Sequence, residues 1–187
     1  MNPLWTNGQA NGRVSVGLIA TIAIFALGCQ IPKRDFYPIG IYSVPSKNEY
    51  PMLRAAGFNL ITGSANAATL DAARASGLGV LATPGTQAGK KMDASKAWQV
   101  VSGFDRHPAL SAWYLMDEPD LHGVRPGEVL RLHRLVRQAG GRKPTALVLF
   151  QGSEALNYSG LTDILMIDRY PVPWLPLANF PQHVRMA

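Results

Sequence analysis

The strongest constraint on the fold is a repeated alternation of apolar runs with segments of helical pattern. Six mainly apolar runs, such as FNLITG at residues 58–63 and LSAWYLM from Leu110, are separated by stretches with helical spacing. Continuous apolar runs are typical of strands in a parallel sheet that is covered on both faces. The repeating order of strand and helix is compatible with two architectures, an open doubly wound sheet and a (β/α)8 barrel.

The pattern predicts where the strands and helices lie. The predicted strands cover residues 38–44, 58–63, 78–85, 110–119, 145–151 and 162–172. Helices are predicted at residues 47–57, 68–77, 93–108 and 125–141, with a short helical turn within 152–161. Asp93 is a suitable N-cap for the third helix, because its carboxylate can accept a hydrogen bond from a backbone N–H of the first turn.

Polar residues cluster at the carboxyl end of every predicted strand, which favours the barrel. They are Tyr42 and Ser43, Ser64 and Asn66, Thr83, Asp117 and Glu118, Gln151, and Asp168 and Tyr170. A barrel builds its active site from the carboxyl ends of many strands, whereas an open sheet binds ligands only around its switch point. Neither glycine-rich phosphate-binding motif follows the first strand, which lowers the weight of a nucleotide-binding sheet.

The number of units is too small for a whole barrel. A barrel usually has eight strands and about 250 residues, whereas this chain has 187 residues and six predicted strands. The expected fold class is therefore α/β, an incomplete (β/α)8 barrel of about six βα units.

The segment WYLMDEPD, residues 113–120, carries the strongest chemical signal. Three carboxylates directly follow a buried strand, where crowding and burial raise the pKa of a carboxyl group. A raised pKa suits a general acid near neutral pH, which makes Glu118 the main catalytic candidate. Pro119 is expected to hold Glu118 in an extended conformation. The alternative is an exposed acidic turn.

The longer segment FDRHPALSAWYLMDEPD, residues 104–120, resembles the fourth-strand region of the retaining glycoside hydrolases of clan A. The resemblance implies a barrel enzyme in which Glu118 is the acid/base and Trp113 is a core residue. DRYP, at residues 168–171, is similar to the sixth strand of these enzymes, whose tyrosine often lies beside the catalytic site. The family's nucleophile lies on the seventh strand, so the resemblance places it in sequence beyond Ala187.

One residue departs from the family's pattern. Asp117 stands where many members have an asparagine that donates a hydrogen bond to the sugar 2-hydroxyl, and an ionised aspartate can only accept one.

Several further residues are candidates for substrate binding. Tyr42, Tyr170 and Trp174 have aromatic faces that suit sugar rings, with packing at the core or rim as the alternative. Asp168 is expected either to bind a sugar hydroxyl or to pair with Arg169 or another base. Gln151, at the end of the fifth strand, completes the set together with Asp117.

The N-terminus predicts an envelope location. Arg13 precedes an uncharged, mostly apolar run at residues 14–27, which is followed by Gly28 and by Cys29, the one cysteine in the chain. Such a run matches the apolar region of a signal peptide and is short for a membrane span. The segment resembles a bacterial lipoprotein signal, which implies lipidation of Cys29, although Ala26 stands where leucine is usual.

These boundaries give the expected domain organisation. A signal peptide would cover residues 1–28, a tether 29–37 and the partial barrel 38–187. The protein would be lipid-anchored outside the cytoplasm, at the outer membrane if the cell has two. An uncleaved anchor is the alternative.

Composition and spacing argue against other function classes. The formal net charge is +6, but the basic residues are scattered, so no nucleic-acid partner is predicted. The histidines lack metal-ligand spacing, and we predict neither a metal nor a cofactor. Ser153 lacks the nucleophile elbow of serine hydrolases. Two functions remain: a cell-surface glycoside hydrolase that acts on poly- or oligosaccharide, and a non-catalytic glycan-binding lipoprotein with a degenerate or truncated barrel.

Overall fold

The computed structural model of the chain describes residues 37–87 and 89–168, and these form one parallel sheet with helices between its strands. The strands are β1 (Gly40–Ile41), β2 (Leu60–Ser64), β3 (Gly79–Thr83), β4 (Leu110–Met116), β5 (Thr145–Leu149) and β6 (Ile164–Ile167). Each strand pairs in parallel with the next one along the chain, and the sheet curls into a half-barrel. A doubly wound sheet reverses its strand order at a switch point, so the sequential order excludes that alternative for these six strands.

A helical segment separates each strand from the next. The α-helices are α1 (Tyr50–Ala55), α2 (Ala67–Ala75), α3 (Ala94–Phe104), α4 (Pro126–Gln138) and α5 (Ala155–Tyr158). Two 3₁₀ turns, Lys47–Glu49 and Gly152–Glu154, precede α1 and α5. Asp93 caps α3 as predicted, because its Oδ1 accepts a hydrogen bond of 3.0 Å from the backbone N–H of Lys96.

All six strands are shorter than predicted, β1 and β6 most of all. β1 has two paired residues, because the chain turns at Ser43, where φ is +57° and the backbone N–H donates to Oγ1 of Thr62 instead of a strand carbonyl. β4 ends at Met116, before Pro119, which has no N–H for a ladder. β6 ends at Ile167, and the structure describes the chain to residue 168. The predicted extension of the strand beyond residue 168 lies outside the described residues.

The core lies mainly between the sheet and the helices. Residues of alternate strand positions, including Ile61, Val80, Trp113 and Leu147, pack there with helix residues such as Leu132, and all five are at most 1% exposed. Trp113 is thus the core residue that the sequence predicted. The other face of the sheet carries a smaller cluster of Ala112, Tyr114 and Ala146.

A buried carboxylate fixes the amino-terminal side of β4. Asp105, which is 6% exposed, accepts hydrogen bonds from Nε1 of Trp113 at 2.8 Å and from the backbone N–H of Arg142 at 2.9 Å and Lys143 at 3.4 Å. Burial alone would raise the pKa of Asp105, but these donors and the charge of Lys143 hold it below its usual value. Asp105 therefore joins the end of α3, the core of β4 and the segment that leads into β5.

Within the part of the chain that the structure describes, no helix has both the length and the apolar character needed to cross a membrane. The apolar run at residues 14–27 and Cys29 lie outside the described residues, so the predicted lipid anchor stays a prediction.

Candidate active site at the carboxyl ends of the strands

A carboxylate that bridges two tyrosines lies at the centre of the site. Asp117 directly follows β4, and its Oδ2 accepts a hydrogen bond of 2.9 Å from the hydroxyl of Tyr42, which follows β1. Its Oδ1 accepts a short hydrogen bond from the hydroxyl of Tyr114. A carboxylate has about four acceptor positions, so Asp117 keeps capacity for a substrate hydroxyl. The link joins the ends of β1 and β4 across two intervening strands.

Tyr114 is a secure donor to this carboxylate. Burial raises the pKa of its phenol well above the usual value, and the hydrogen bond to Asp117 raises the pKa further. The phenol therefore stays protonated at physiological pH. Since Tyr114 and Asp117 are three residues apart, strict strand alternation would place them on opposite faces. The register of β4 against β5 shifts between Tyr114 and Met116, which breaks that alternation.

Asp120 binds the backbone at the end of β5. Its Oδ1 accepts a hydrogen bond of 3.0 Å from the backbone N–H of Phe150, and its Oδ2 accepts one of 2.8 Å from that of Gln151. The loop after β4 is thereby fixed to the end of β5, which gives Asp120 a positioning role.

Glu118 lies between these two engaged aspartates. No described residue donates a hydrogen bond to its carboxylate or forms an ion pair with it. Its backbone N–H donates to the carbonyl of Val148 at 3.1 Å, and its own carbonyl accepts from the N–H of His122 at 3.2 Å. The protein thus fixes the backbone of Glu118 and leaves its side chain without a partner among the described residues.

The extended conformation predicted for Glu118 is wrong, because its φ is +40°. Pro119 disfavours the right-handed helical region for the preceding residue, and the two backbone hydrogen bonds hold Glu118 in the left-handed region instead. That region is costly for a residue with a side chain.

Ser43, with φ of +57°, is the second residue other than glycine with positive φ in the described chain. Ser43 directly follows Tyr42, and Glu118 directly follows Asp117, so both strained residues flank one hydrogen bond. Strained backbone is found preferentially at functional sites.

The pKa of Glu118 is raised, as the sequence predicted. Burial is the largest cause, and the negative charges of Asp117, Asp168 and Asp120 add to it, while His122 lowers the pKa to a smaller extent. The contribution of Asp168 shows that the end of β6 lies close enough to act on Glu118. A carboxyl group with these properties can hold a proton at a pH where ordinary glutamates have lost it.

Two adjoining clefts lie beside these residues. The cleft next to Asp117, which we call the site cleft, has a volume of about 230 Å³ and also contains Thr86 and His122. A larger cleft of about 430 Å³ extends over the ends of β1 and β2 and includes Lys47 and Ser64. The two share Tyr42, Thr83 and Tyr114. Glu118 itself is not among the residues that line either cleft.

The structure describes some of the other predicted site residues but not all of them. Tyr42 is 61% exposed and lines both clefts, which suits contact with a sugar ring. Asp168 directly follows β6, and its N–H donates to the carbonyl of Leu149 at 2.8 Å. Gln151 is exposed at the end of β5. Tyr170, Trp174 and Arg169 lie outside the described residues, so their predicted roles stay untested.

Two residues of the site were missed by sequence reasoning. Tyr114 belongs to an apolar strand in the sequence pattern, although its hydroxyl donates to Asp117. His122 is one of the histidines without metal-ligand spacing, yet it lines the site cleft. The position of Tyr114, three residues before an acidic strand end, was the one available signal for its role.

The described residues, 37–87 and 89–168, contain no group of three or more His, Cys, Asp or Glu that could hold a metal ion. That the chain binds no metal therefore stays a prediction.

Comparison with known proteins relates this fold to parts of large glycosidases. No family model matches the chain, and no curated protein matches its sequence. Three similar solved structures are a β-glucuronidase of Parabacteroides merdae, a glycosyl hydrolase family 2 member of Bacteroides cellulosilyticus, and a β-galacturonidase of Eisenbergiella tayi bound to galacturonate.

Their sequence identities are 14%, 14% and 12%, and their TM-scores are 0.58, 0.53 and 0.59, respectively. They match 80%, 79% and 79% of this chain. The chain spans 23%, 23% and 32% of the length of these solved chains. At this level of identity the likeness shows a shared fold with a part of each glycosidase.

Proposed function

We propose that this chain forms the first six βα units of a (β/α)8 barrel glycoside hydrolase of the clan A type, with Glu118 as the acid/base. The proposal rests on the raised pKa of Glu118 and on its unengaged carboxylate. Its pKa is raised by burial and by three neighbouring aspartates, and no described residue engages its carboxylate. A general acid must present a proton to the departing oxygen, and a raised pKa provides that proton near neutral pH.

A retaining mechanism needs a second carboxyl group about 5–5.5 Å from the first. Asp117 is held by two tyrosine hydroxyls and Asp120 by two backbone N–H groups. We therefore assign the nucleophile to residues outside those that the structure describes. The glycosidase identity of the structural neighbours supports carbohydrate as the substrate.

The test compares leaving groups in a protein that carries the complete barrel. Glu118→Gln should lower turnover about 10²–10⁴-fold for poorly departing aryl glycosides, since it removes the general acid. The loss should be smaller for dinitrophenyl glycosides, which depart with little protonation. Glu154→Gln is the control, because Glu154 contacts Asn157 and lies outside both clefts. Equal losses with both leaving groups, or none, would contradict the acid role.

The substrate panel should include glucuronides and galacturonides, because the similar solved structures are named for these sugars. We expect the 187-residue chain alone not to turn over any of them. Turnover by this chain that disappears in Glu118→Gln would show that it already contains the second catalytic carboxylate.

A non-catalytic glycan-binding protein is the second candidate. The engagement of Asp117 and Asp120 by protein donors favours it, because it leaves neither aspartate available as a catalytic partner of Glu118. This function predicts that a protein with the complete barrel binds glycans with no turnover, and that Glu118→Gln leaves the binding unchanged.

The proposed location is the bacterial envelope, through lipid on Cys29. Expression in bacteria with labelled palmitate should label the wild-type chain and leave Cys29→Ser unlabelled. Equal labelling of both chains would contradict the anchor.

A further inference from the structure

A third cleft, with basic residues along its walls, adjoins the site cleft. It has a volume of about 520 Å³ and shares Met116 and His122 with the site cleft. The two clefts are therefore close enough for one extended substrate to contact both. We call it the basic cleft.

The charge of the basic cleft is mainly positive. Lys90, Lys91 and Arg131 line it against a single carboxylate, Glu128. Arg131 and Glu128 form an exposed ion pair, in which Nη2 lies 3.8 Å from Oε1 and is too far away for a hydrogen bond. Within the described residues, the side chains of these three cations and of His122 donate no hydrogen bond. Their donors are thus available to a ligand.

The floor of the basic cleft is apolar. Met116 and Leu132 are 8% and 0% exposed, and Met92 and Val124 complete the floor. An apolar floor with a few polar groups at the rim is typical of a ligand site.

The amino terminus of α4 adds to the positive potential. Arg125 is the N-cap of α4 and makes no side-chain capping bond. A cation is unfavourable at this end of a helix, where the helix dipole is positive. A shallow groove of about 370 Å³ continues from the basic cleft, sharing Glu128 and Arg131 with it and including Arg125. An anionic ligand along this path would relieve the repulsion.

We propose that the basic cleft binds a carboxylate or sulfate group on a sugar unit next to the cleaved bond, so that the substrate is an acidic oligosaccharide. Arg131 supplies the planar donors that match either anion, and Lys91 supplies a point charge. That the ligand is a carbohydrate rests on the proposed function. The requirement for negative charge rests on the basic cleft.

Binding of matched sugars to a protein that carries the complete barrel, measured by calorimetry, tests the proposal. Tetragalacturonate is compared with its methyl ester, and sulfated cellotetraose with cellotetraose, so that the arms separate carboxylate from sulfate. We expect at least one anionic sugar to bind about tenfold or more tightly than its neutral counterpart, and the preference to weaken with salt.

Substitutions in the basic cleft test whether the anionic sugar binds there. Lys91→Gln with Arg131→Gln should weaken anionic binding about tenfold, in keeping with two exposed charge pairs. Arg134→Gln is the matched control, because Arg134 is exposed on the same helix and lines none of these clefts. All three residues are exposed, so the substitutions should leave the fold intact.

Three outcomes would overturn the proposal. The first is equal affinity for charged and neutral sugars. The second is a loss of anionic binding in Arg134→Gln as large as that in Lys91→Gln with Arg131→Gln. The third is binding of oligothymidylate as tight as that of the acidic sugar. The last two would mean a general polyanion surface.

The result is separable from the test of Glu118. Glu118→Gln should keep the preference for charged sugars, because Glu118 does not line the basic cleft. Selective binding without any Glu118-dependent turnover would leave this inference standing and remove the proposed enzyme. Glu118-dependent turnover with equal binding of charged and neutral sugars would support the proposed enzyme and overturn this inference.

Discussion

Asp117, Glu118 and Asp120 lie within four residues of one another in three different environments. Tyrosine hydroxyls hold Asp117, backbone N–H groups hold Asp120, and Glu118 has no such donor among the described residues. Burial that is not offset by hydrogen-bond donors raises the pKa of a carboxyl group, as it does at Glu118. Under the proposed function, this contrast would separate the general acid from two carboxylates that hold the structure of the loop.

The effect of Asp168 on the pKa of Glu118 gives a prediction for a single substitution. Asp168→Asn removes a negative charge that raises the pKa of Glu118, so that pKa should fall. Carbon-13 NMR titration of Glu118 would measure the change. If Glu118 is the acid, the alkaline limb of the activity profile should move to lower pH, since the acid loses its proton earlier.

The control for this titration is Asp71→Asn. Asp71 pairs with Nε2 of His107 at 3.1 Å and is not among the groups that shift Glu118. An unchanged pKa in Asp168→Asn, or an equal decrease in both variants, would contradict the assigned cause.

At the scale of elements, the strand ends are fixed by side chains as well as by the sheet. After β3, Oγ1 of Thr83 accepts from the N–H of Gly85 at 3.0 Å and of Thr86 at 3.1 Å. The hydroxyl of Thr86 then donates to the carbonyl of Leu115 in β4 at 2.5 Å. Together with Asp120, these bonds attach the loops on both sides of Glu118 to neighbouring strands, which gives the site a rigid base.

The opposite end of β4 depends on Asp105. Asp105→Asn should lower the free energy of unfolding by about 1–3 kcal/mol, because an amide cannot accept from all three buried donors. Asp93→Asn at the other end of α3 is the control and should be nearly neutral, since asparagine is an equally good N-cap. Urea denaturation measures both, and equal effects would contradict the role of Asp105.

The acid dependence of this effect has a defined sign. The folded-state pKa of Asp105 is lowered, so its stabilisation is present above the pKa of the unfolded chain. It is lost as the pH falls through the folded-state pKa. The difference between wild type and Asp105→Asn should therefore shrink in acid.

Element types were predictable from the sequence, but several boundaries were not. Apolar run length identified all six strands, and Asp93 identified the start of α3. The end of β1 depends on the turn at Ser43, which is held by a hydrogen bond to Thr62 from the next strand. A contact between residues so far apart leaves no local pattern at Ser43.

For the site, local sequence identified Glu118 and its raised pKa because the acids that act on it are partly its neighbours. The bond from Tyr42 to Asp117 joins residues 75 positions apart. The role of His122 beside two clefts likewise depends on how the loop after β4 folds back. These features arise from tertiary packing, which residue spacing alone does not encode.

At the scale of the whole molecule, the six described strands form a curled sheet with unequal edges. β1 pairs through two residues, and Ile164 in β6 is 40% exposed, whereas no residue of β4 except Ser111 exceeds 8%. Exposed strand edges promote association between chains.

The fragment of residues 33–187, without the apolar N-terminal run, should therefore dimerise, aggregate or unfold easily. Analytical ultracentrifugation with thermal denaturation checks this prediction. A monodisperse monomer with a sharp cooperative melt would contradict it and would mean that the sheet edges are already covered.

The left-handed backbone at Glu118 has a consequence for how this protein tolerates change. Glycine adopts that conformation without the side-chain cost, and a neutral residue there would also avoid placing a half-buried carboxyl group near three aspartates. Any procedure that ranks substitutions by folding stability should therefore favour replacing Glu118. If natural or designed relatives keep a glutamate at the corresponding position, they keep it against that pressure, and stability-guided engineering of this protein should hold residue 118 fixed.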